Sequence, residues 1–307
     1  MKTFVHPSLR AASILAFAAI ALLAPASAQA ASPVVLQFTA ASANITGNIL
    51  TLNDPHLNGK QGLKLIVTQD ISLTAPVLNN HPIGLYYNTA TKLWEIFNED
   101  IAAMPVGAIF DVLIPTTVAR VNGGATNSFV NQTFFTLRKH DSSALLLETH
   151  VFDPFPTVTT GPLNGVFQVN SVGLYFNPVV TTKPVPASSG CWELFTEDLA
   201  PALAASYNIA DVTKAGTAAD PYSFLFTTTA ANVSGDAAII SNAATNAKPN
   251  AILFANHVST SAGAVFTPFY AVVYDTPSSE WVLVTENGSA FPVGISFVVT
   301  AFPAVTP

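Results

Sequence analysis

Each of the three tryptophans in this chain opens a copy of one motif. Trp94 begins Trp-Glu-Ile-Phe-Asn-Glu-Asp, Trp192 begins Trp-Glu-Leu-Phe-Thr-Glu-Asp, and Trp281 begins Trp-Val-Leu-Val-Thr-Glu-Asn. The copies stand 98 and 89 residues apart. Matching blocks flank them in the same order. Upstream lie Ile83-Gly84-Leu85-Tyr86-Tyr87, Val172-Gly173-Leu174-Tyr175-Phe176 and Tyr270-Ala271-Val272-Val273-Tyr274. Further upstream come apolar runs with polar ends, Leu65 to Asp70, Leu146 to His150 and Leu253 to His257. Before them come Ile45-Thr46-Gly47-Asn48, Val130-Asn131-Gln132-Thr133 and Val233-Ser234-Gly235-Asp236. Four blocks recurring three times in order define an internal repeat, and a repeat fixes the architecture before any local reading does. The units run over residues 31–115, 116–212 and 213–307. The longer first spacing comes from Pro178 to Gly190, a Pro/Thr/Ser-rich insertion of surface-loop composition.

Within each unit the segments are short, rich in Val, Ile, Phe, Tyr and Thr, and bounded by Asn, Asp, Gly and Pro, which are strand signals. Around Trp94 the side chains alternate, with Trp94 and Ile96 on one face and Glu95, Phe97 and Glu99 on the other. The five-residue polar links Asn88 to Lys92 and Asp275 to Ser279 close hairpins. The expected fold is all-β: three tandem repeat modules of about five strands each, sandwich- or barrel-like and packed together. Helix evidence is confined to Leu199 to Ser206, one or two turns with Pro201 in the first.

The first copy is the fullest. His81-Pro82-Ile83-Gly84-Leu85-Tyr86-Tyr87, Trp94 to Asp100, and Met104-Pro105-Val106-Gly107-Ala108-Ile109-Phe110-Asp111-Val112 together resemble a bacterial secreted repeat family, a domain of unknown function. The likeness is close over residues 63–114 and partial in the other copies. It implies an extracellular, repeat-built protein and no particular activity.

The N-terminus points the same way. Lys2 and Arg10 precede an apolar run from Ala11 to Leu23, then Pro25 and small residues. That order is a secretory signal peptide, residues 1–30, with cleavage after Ala30 or, second, after Ala28. The run is too short to span a bilayer, and no second long apolar run follows. Cleavage would leave 277 residues with a net charge of −9. With 11 Lys and Arg against 18 Asp and Glu, no basic patch exists to meet nucleic acid. Only 9% of residues are charged, against about 25% in an average domain. A single cysteine, Cys191, excludes a disulfide framework, and its place before Trp192 in an apolar strand favours burial.

The candidate ligand-binding residues are those that recur: Trp94, Trp192 and Trp281; Glu99, Glu197 and Glu286; and Tyr86, Tyr175 and Tyr274. Each has two readings. The tryptophans are sugar-stacking platforms or core anchors. The glutamates, followed by Asp100, Asp198 and Asn287, form a polar ligand cluster or serve the turn after the strand. Paired tyrosines on a strand put one ring outward, the better binding candidate. His150 and His257 correspond, with Asp70 in the first copy. One such residue per repeat does not make a metal site. No catalytic constellation, metal site or cofactor motif is present, since no G-x-S-x-G turn, H-E-x-x-H helix or phosphate loop occurs. The chain reads as a secreted, non-enzymatic extracellular or cell-surface protein, binding polysaccharide or the cell envelope, or associating with itself. The alternative is a secreted glycan-acting hydrolase whose carboxylates come together from different repeats. Six of the seven glutamates lie within five residues of a repeat tryptophan. The seventh is Glu148.

Overall fold

A computed structural model describes residues 32–71, 75–124, 126–152, 166–178, 190–202, 204–213, 222–260 and 265–303. The segment read as a signal peptide and most of the Pro178 to Gly190 insertion lie outside them. The described chain is all-β, with seven strands in each repeat rather than about five. The first repeat holds β1 (Val34–Thr39), β2 (Ile45–Thr46), β3 (Ile49–Leu52), β4 (Ile66–Ile71), β5 (Ile83–Asn88), β6 (Leu93–Asn98) and β7 (Ile109–Ile114). The second holds β8 (Val118–Asn122), β9 (Ser128–Phe129), β10 (Gln132–Phe135), β11 (Leu146–Val151), β12 (Val172–Asn177), β13 (Cys191–Thr196) and β14 (Ser206–Asp211). The third holds β15 (Tyr222–Thr227), β16 (Val233–Ser234), β17 (Ala237–Ile240), β18 (Ile252–Ser259), β19 (Tyr270–Asp275), β20 (Glu280–Thr285) and β21 (Ser296–Phe302).

The 21 strands form three seven-stranded sheets, and every sheet draws on two repeats. Their orders are β1-β7-β4-β19-β20-β17-β16, β8-β14-β11-β5-β6-β3-β2 and β15-β21-β18-β12-β13-β10-β9. The first, seventh and fourth strands of one repeat continue edge to edge into the fifth, sixth, third and second strands of another. The three junctions, β4 with β19, β11 with β5 and β18 with β12, are the parallel pairings. The first repeat extends into the third, the third into the second, and the second back into the first, so the arrangement closes as a pseudo-threefold ring.

Side-chain alternation explains why both faces of these strands are apolar. In the first repeat, Leu36, Leu85, Ile96, Phe110 and Val112 share one core between the two halves of that repeat. Opposite-facing residues of β1, β4 and β7, Val35, Ile66 and Leu113, join Leu147, Phe254 and Val298 of the other repeats. A central core therefore binds the three repeats together. The fourth strands meet there through a ring of hydrogen bonds. Val67 N–H donates to Thr149 Oγ1 at 2.9 Å, Glu148 N–H to Asn256 Oδ1 at 2.9 Å, and Ala255 N–H to Thr68 Oγ1 at 3.3 Å. Each bond satisfies a buried backbone donor by reaching into the next repeat.

Two local expectations change. Leu199 to Ser206 contains no helix in its described residues; Leu199 sits at φ +62° and Ser206 starts β14. Ile101 (φ +68°) and Gly288 (φ +69°) occupy the same place two residues after the recurring glutamate. A left-handed residue there forms a tight turn, which the repeat imposes on the local helical propensity. Second, the residue matching His150 and His257 is Gln69, not Asp70. All three pair with the same position of the seventh strand, Gln69 with Phe110, His150 with Tyr207 and His257 with Phe297.

Candidate functional site

The tryptophans are core anchors. Trp94, Trp192 and Trp281 are buried, and each indole N–H donates to a backbone carbonyl: Lys60 at 3.0 Å, Asp141 at 3.0 Å and Lys248 at 3.1 Å. Each also meets an aromatic ring edge-on from the preceding strand, Tyr87, Phe176 or Tyr274. This places Tyr274 with Tyr87, on the core-facing register. Tyr86 and Tyr175 point to the other side and are half-buried; Val273 takes their place in the third repeat. Cys191 is buried, and burial pushes its thiol up to about 11.

The turn after the tryptophan strand is held by the acid or amide, not by the glutamate. Asp100 accepts Ala102 N–H at 3.1 Å, Asp198 accepts Ala200 N–H at 3.0 Å, and Asn287 accepts Ser289 N–H at 2.9 Å. The glutamates instead turn inward and cross to the next repeat. Glu99 Oε1 lies 2.6 Å from His150 Nδ1, and its other oxygen accepts Gln168 N–H at 2.5 Å. Glu197 engages His257 Nδ1 in the same way and accepts Phe266 N–H at 2.8 Å. Glu286, from the third repeat, accepts the N–H of Asn79 in the first. Its counterpart to the histidine is Gln69. All three glutamates are buried, with 2%, 1% and 4% exposure. Burial raises Glu197, which His257 partly counteracts, and lifts Glu286 well above the carboxylate range. Glu99 and Glu197 thus tie the fourth strand and the loop after it to the preceding unit, and Glu286 ties the loop alone.

Space for the clamp is set by one residue of the fifth strand. A Cβ on Gly84 would stand 2.7 Å from Glu99 Oε1 and 2.9 Å from the Phe97 ring. On Gly173 it would press on Glu197, His257 and Phe195. In the third repeat, whose Glu286 has the first repeat's Gln69 in place of a histidine, Ala271 stands there. Gly84→Ala is expected to cost about 1–3 kcal/mol by overpacking, measured as a lower urea midpoint. An unchanged midpoint would mean Glu99 swings aside freely and does not hold the junction.

Around the clamps lies a cavity of about 130 Å³ that all three repeats line, among them Glu99, Glu148, His150, Gln69, Tyr270 and Glu286. Glu148 is the glutamate outside the repeat motif. Burial, with the charges of Glu99 and Glu197, pushes it up to about 8. Glu148 Oε2, Glu286 Oε1 and Gln69 Nε2 are buried without hydrogen-bond partners. A second carboxyl pair lies in the sheet of β1, β7 and β4. There Gln37 Nε2 donates to Asp70 at 3.0 Å and to Asp111 at 2.9 Å. Burial pushes Asp70 up to about 6, and burial with the Asp70 charge lifts Asp111 well above its ordinary value. Among the described residues, no three His, Cys, Asp or Glu side chains converge as metal ligands. No helix among them is long and apolar enough to cross a membrane.

The sequence pattern gives no sign of a third feature, a cavity of about 450 Å³ at the link between the first and second repeats. Pro115, Thr116 and Thr117 line it with Leu113, Phe302, Arg138 and Asp211. Arg138 Nε lies 2.6 Å from Asp211 Oδ2. Only a comparison of the three copies position by position would find it, because the same sites in the first repeat hold Leu57 and Ile114.

Neither the curated proteins nor the solved structures yield a match to this chain. A family model described as a domain of unknown function (DUF7452) matches residues 24–152 and 173–301, which is most of the chain and takes in strands of all three repeats. The chain belongs to that family.

Proposed function

We propose that this is an exported, non-catalytic extracellular protein that binds polysaccharide at the cell surface. The observation that carries the non-catalytic part is the burial of Glu99, Glu197 and Glu286 in clamps between repeats, each committed to a backbone N–H of the next unit. A two-carboxylate glycosidase needs its acids on either side of a bound sugar. The cavity that Glu99 and Glu286 share with Glu148, at about 130 Å³, is below the roughly 300–1,000 Å³ of ligand sites. Export is supported by the basic, apolar and small-residue order of the first 30 residues. Polysaccharide suits an almost uncharged chain better than a charged polymer does.

Expression of the full chain in a bacterial host, followed by fractionation and N-terminal sequencing, tests the export. The expected product starts at Ala31 outside the cytoplasm, and an uncleaved cytoplasmic chain would overturn the reading. The purified product should be retained on insoluble cell-wall polysaccharide without releasing reducing sugar. Release would make it a hydrolase. Concentration-dependent mass without polysaccharide retention would make it a self-associating protein.

A further inference from the structure

We propose that the 450 Å³ cavity beside Arg138 is a binding site for a single neutral sugar ring. This deepens the polysaccharide reading above and rests on it for the class of ligand.

The cavity is where the pseudo-threefold arrangement breaks. In each repeat, the carbonyl that receives the tryptophan N–H belongs to a turn between the third and fourth strands: Lys60, Asp141 or Lys248. The residue three positions earlier starts that turn, accepting its N–H: Leu57, Arg138 or Thr245. Facing it is the position of the seventh strand opposite Leu65, Leu146 or Leu253. That position holds Ile114, Asp211 or Ala301. In the first repeat the pair is Leu57 and Ile114, both buried in the repeat's core. In the third it is Thr245 and Ala301, also buried. Only in the second does an ion pair stand there, and only there does the turn follow its strand after two residues, Thr136 and Leu137, instead of four. The shortened turn leaves room beside the pair, and the link between repeats supplies the far wall.

The chemistry of the walls selects the ligand. The volume falls in the range of small-molecule sites. Leu113, Leu137, Val212 and Phe302 offer apolar surface. The polar groups are the Arg138 guanidinium and the hydroxyls of Thr116 and Thr117. Arg138 is already balanced by Asp211 at 2.6 Å and has Asp141 at 3.7 Å, so no surplus positive charge draws an anion. Asp211 is held in turn by Thr213 N–H at 3.0 Å. What remains is a mixture of donors and acceptors around apolar walls. A pyranose matches it, with hydroxyls that both donate and accept and C–H faces that pack on apolar surface.

The test is saturation-transfer NMR of the full exported chain with D-glucose, D-galactose and N-acetyl-D-glucosamine, and with methyl phosphate as the anionic probe. At least one sugar is expected to receive saturation on its ring C–H protons. The double variant Arg138→Leu with Asp211→Ile copies the first repeat's own pair and is expected to weaken that binding at least tenfold. Thr116→Val, which removes one hydroxyl, is expected to weaken it severalfold with the thermal midpoint unchanged. No transfer to any sugar, binding that survives the double variant, or a preference for methyl phosphate would overturn the site. Retention of the double variant on polysaccharide would then show binding elsewhere on the body, leaving the broader reading intact.

Discussion

Replacing Glu197 by alanine is expected to destabilise the fold by about 3–5 kcal/mol, the cost of removing one partner of a buried pair. The substitution strips His257 Nδ1 of its carboxylate and leaves the Phe266 N–H without an acceptor. His257 is 1% exposed, ringed by Phe195, Phe266 and Phe297, and its Nε2 already lacks a partner. At about 2–4 °C per kcal/mol for a chain of this size, the melting temperature should fall by roughly 10 °C. Glu286→Gln is the matched comparison. Glu286 stands opposite the glutamine position rather than a histidine, and burial raises its carboxyl well above the usual range, favouring the neutral acid. Glutamine is isosteric with the neutral acid that burial favours, and the change should stay within about 1 kcal/mol. Differential scanning calorimetry of both variants decides it. Equal losses would mean that the histidine is not what makes the Glu197 clamp strong.

That comparison also marks how far the sequence reaches. The strands, the hairpins and the three-part division were legible, because alternation and turn residues are local signals and the tryptophan motif repeats them. The exchange of strands between repeats was not. It rests on short parallel junctions such as Asp70 with Val272, some two hundred residues apart, which leave no local pattern. The recurrence of Glu99, Glu197 and Glu286 was visible, but their partners lie in the neighbouring unit. Matching the strands by their polar ends aligned Asp70 with His150, and a slip of one residue moves a side chain to the opposite face. Arg138 and Asp211 escaped for the converse reason. A search for what recurs passes over the place where one copy departs from the others.

Stability should fall, not rise, as the pH climbs from about 5 to 8. Acid denaturation in most proteins reflects carboxylates stabilised as anions. Here the carboxyls that bear on folding are displaced the other way. Glu148 is pushed from 4.5 up to about 8 by burial and by Glu99 and Glu197. Burial pushes Glu193 from 4.5 up to about 7, and Asp70 from 3.8 up to about 6. Between the ordinary and the raised values the folded chain holds more protons than the unfolded chain, so the slope of stability against pH is negative. The contribution of each group is full below its ordinary value and is lost as the pH passes its raised one. A carboxyl raised by one pH unit on folding is linked to about 1.4 kcal/mol of stability, so the three groups together are expected to lower the melting temperature by roughly 15–30 °C across the window. Glu148 dominates the upper end. Its Oε2 is buried without a partner, at the centre where the three fourth strands meet, and ionisation there places a charge among Glu99 and Glu197. Glu148→Gln keeps the shape of the protonated acid and the backbone bond to Asn256. At pH 5 the variant should melt within a degree or two of the parent, and at pH 8 it should melt several degrees higher. Melting curves that run parallel from pH 5 to 8, or a parent that gains stability over that range, would show that Glu148 ionises without strain and that the junction tolerates its charge.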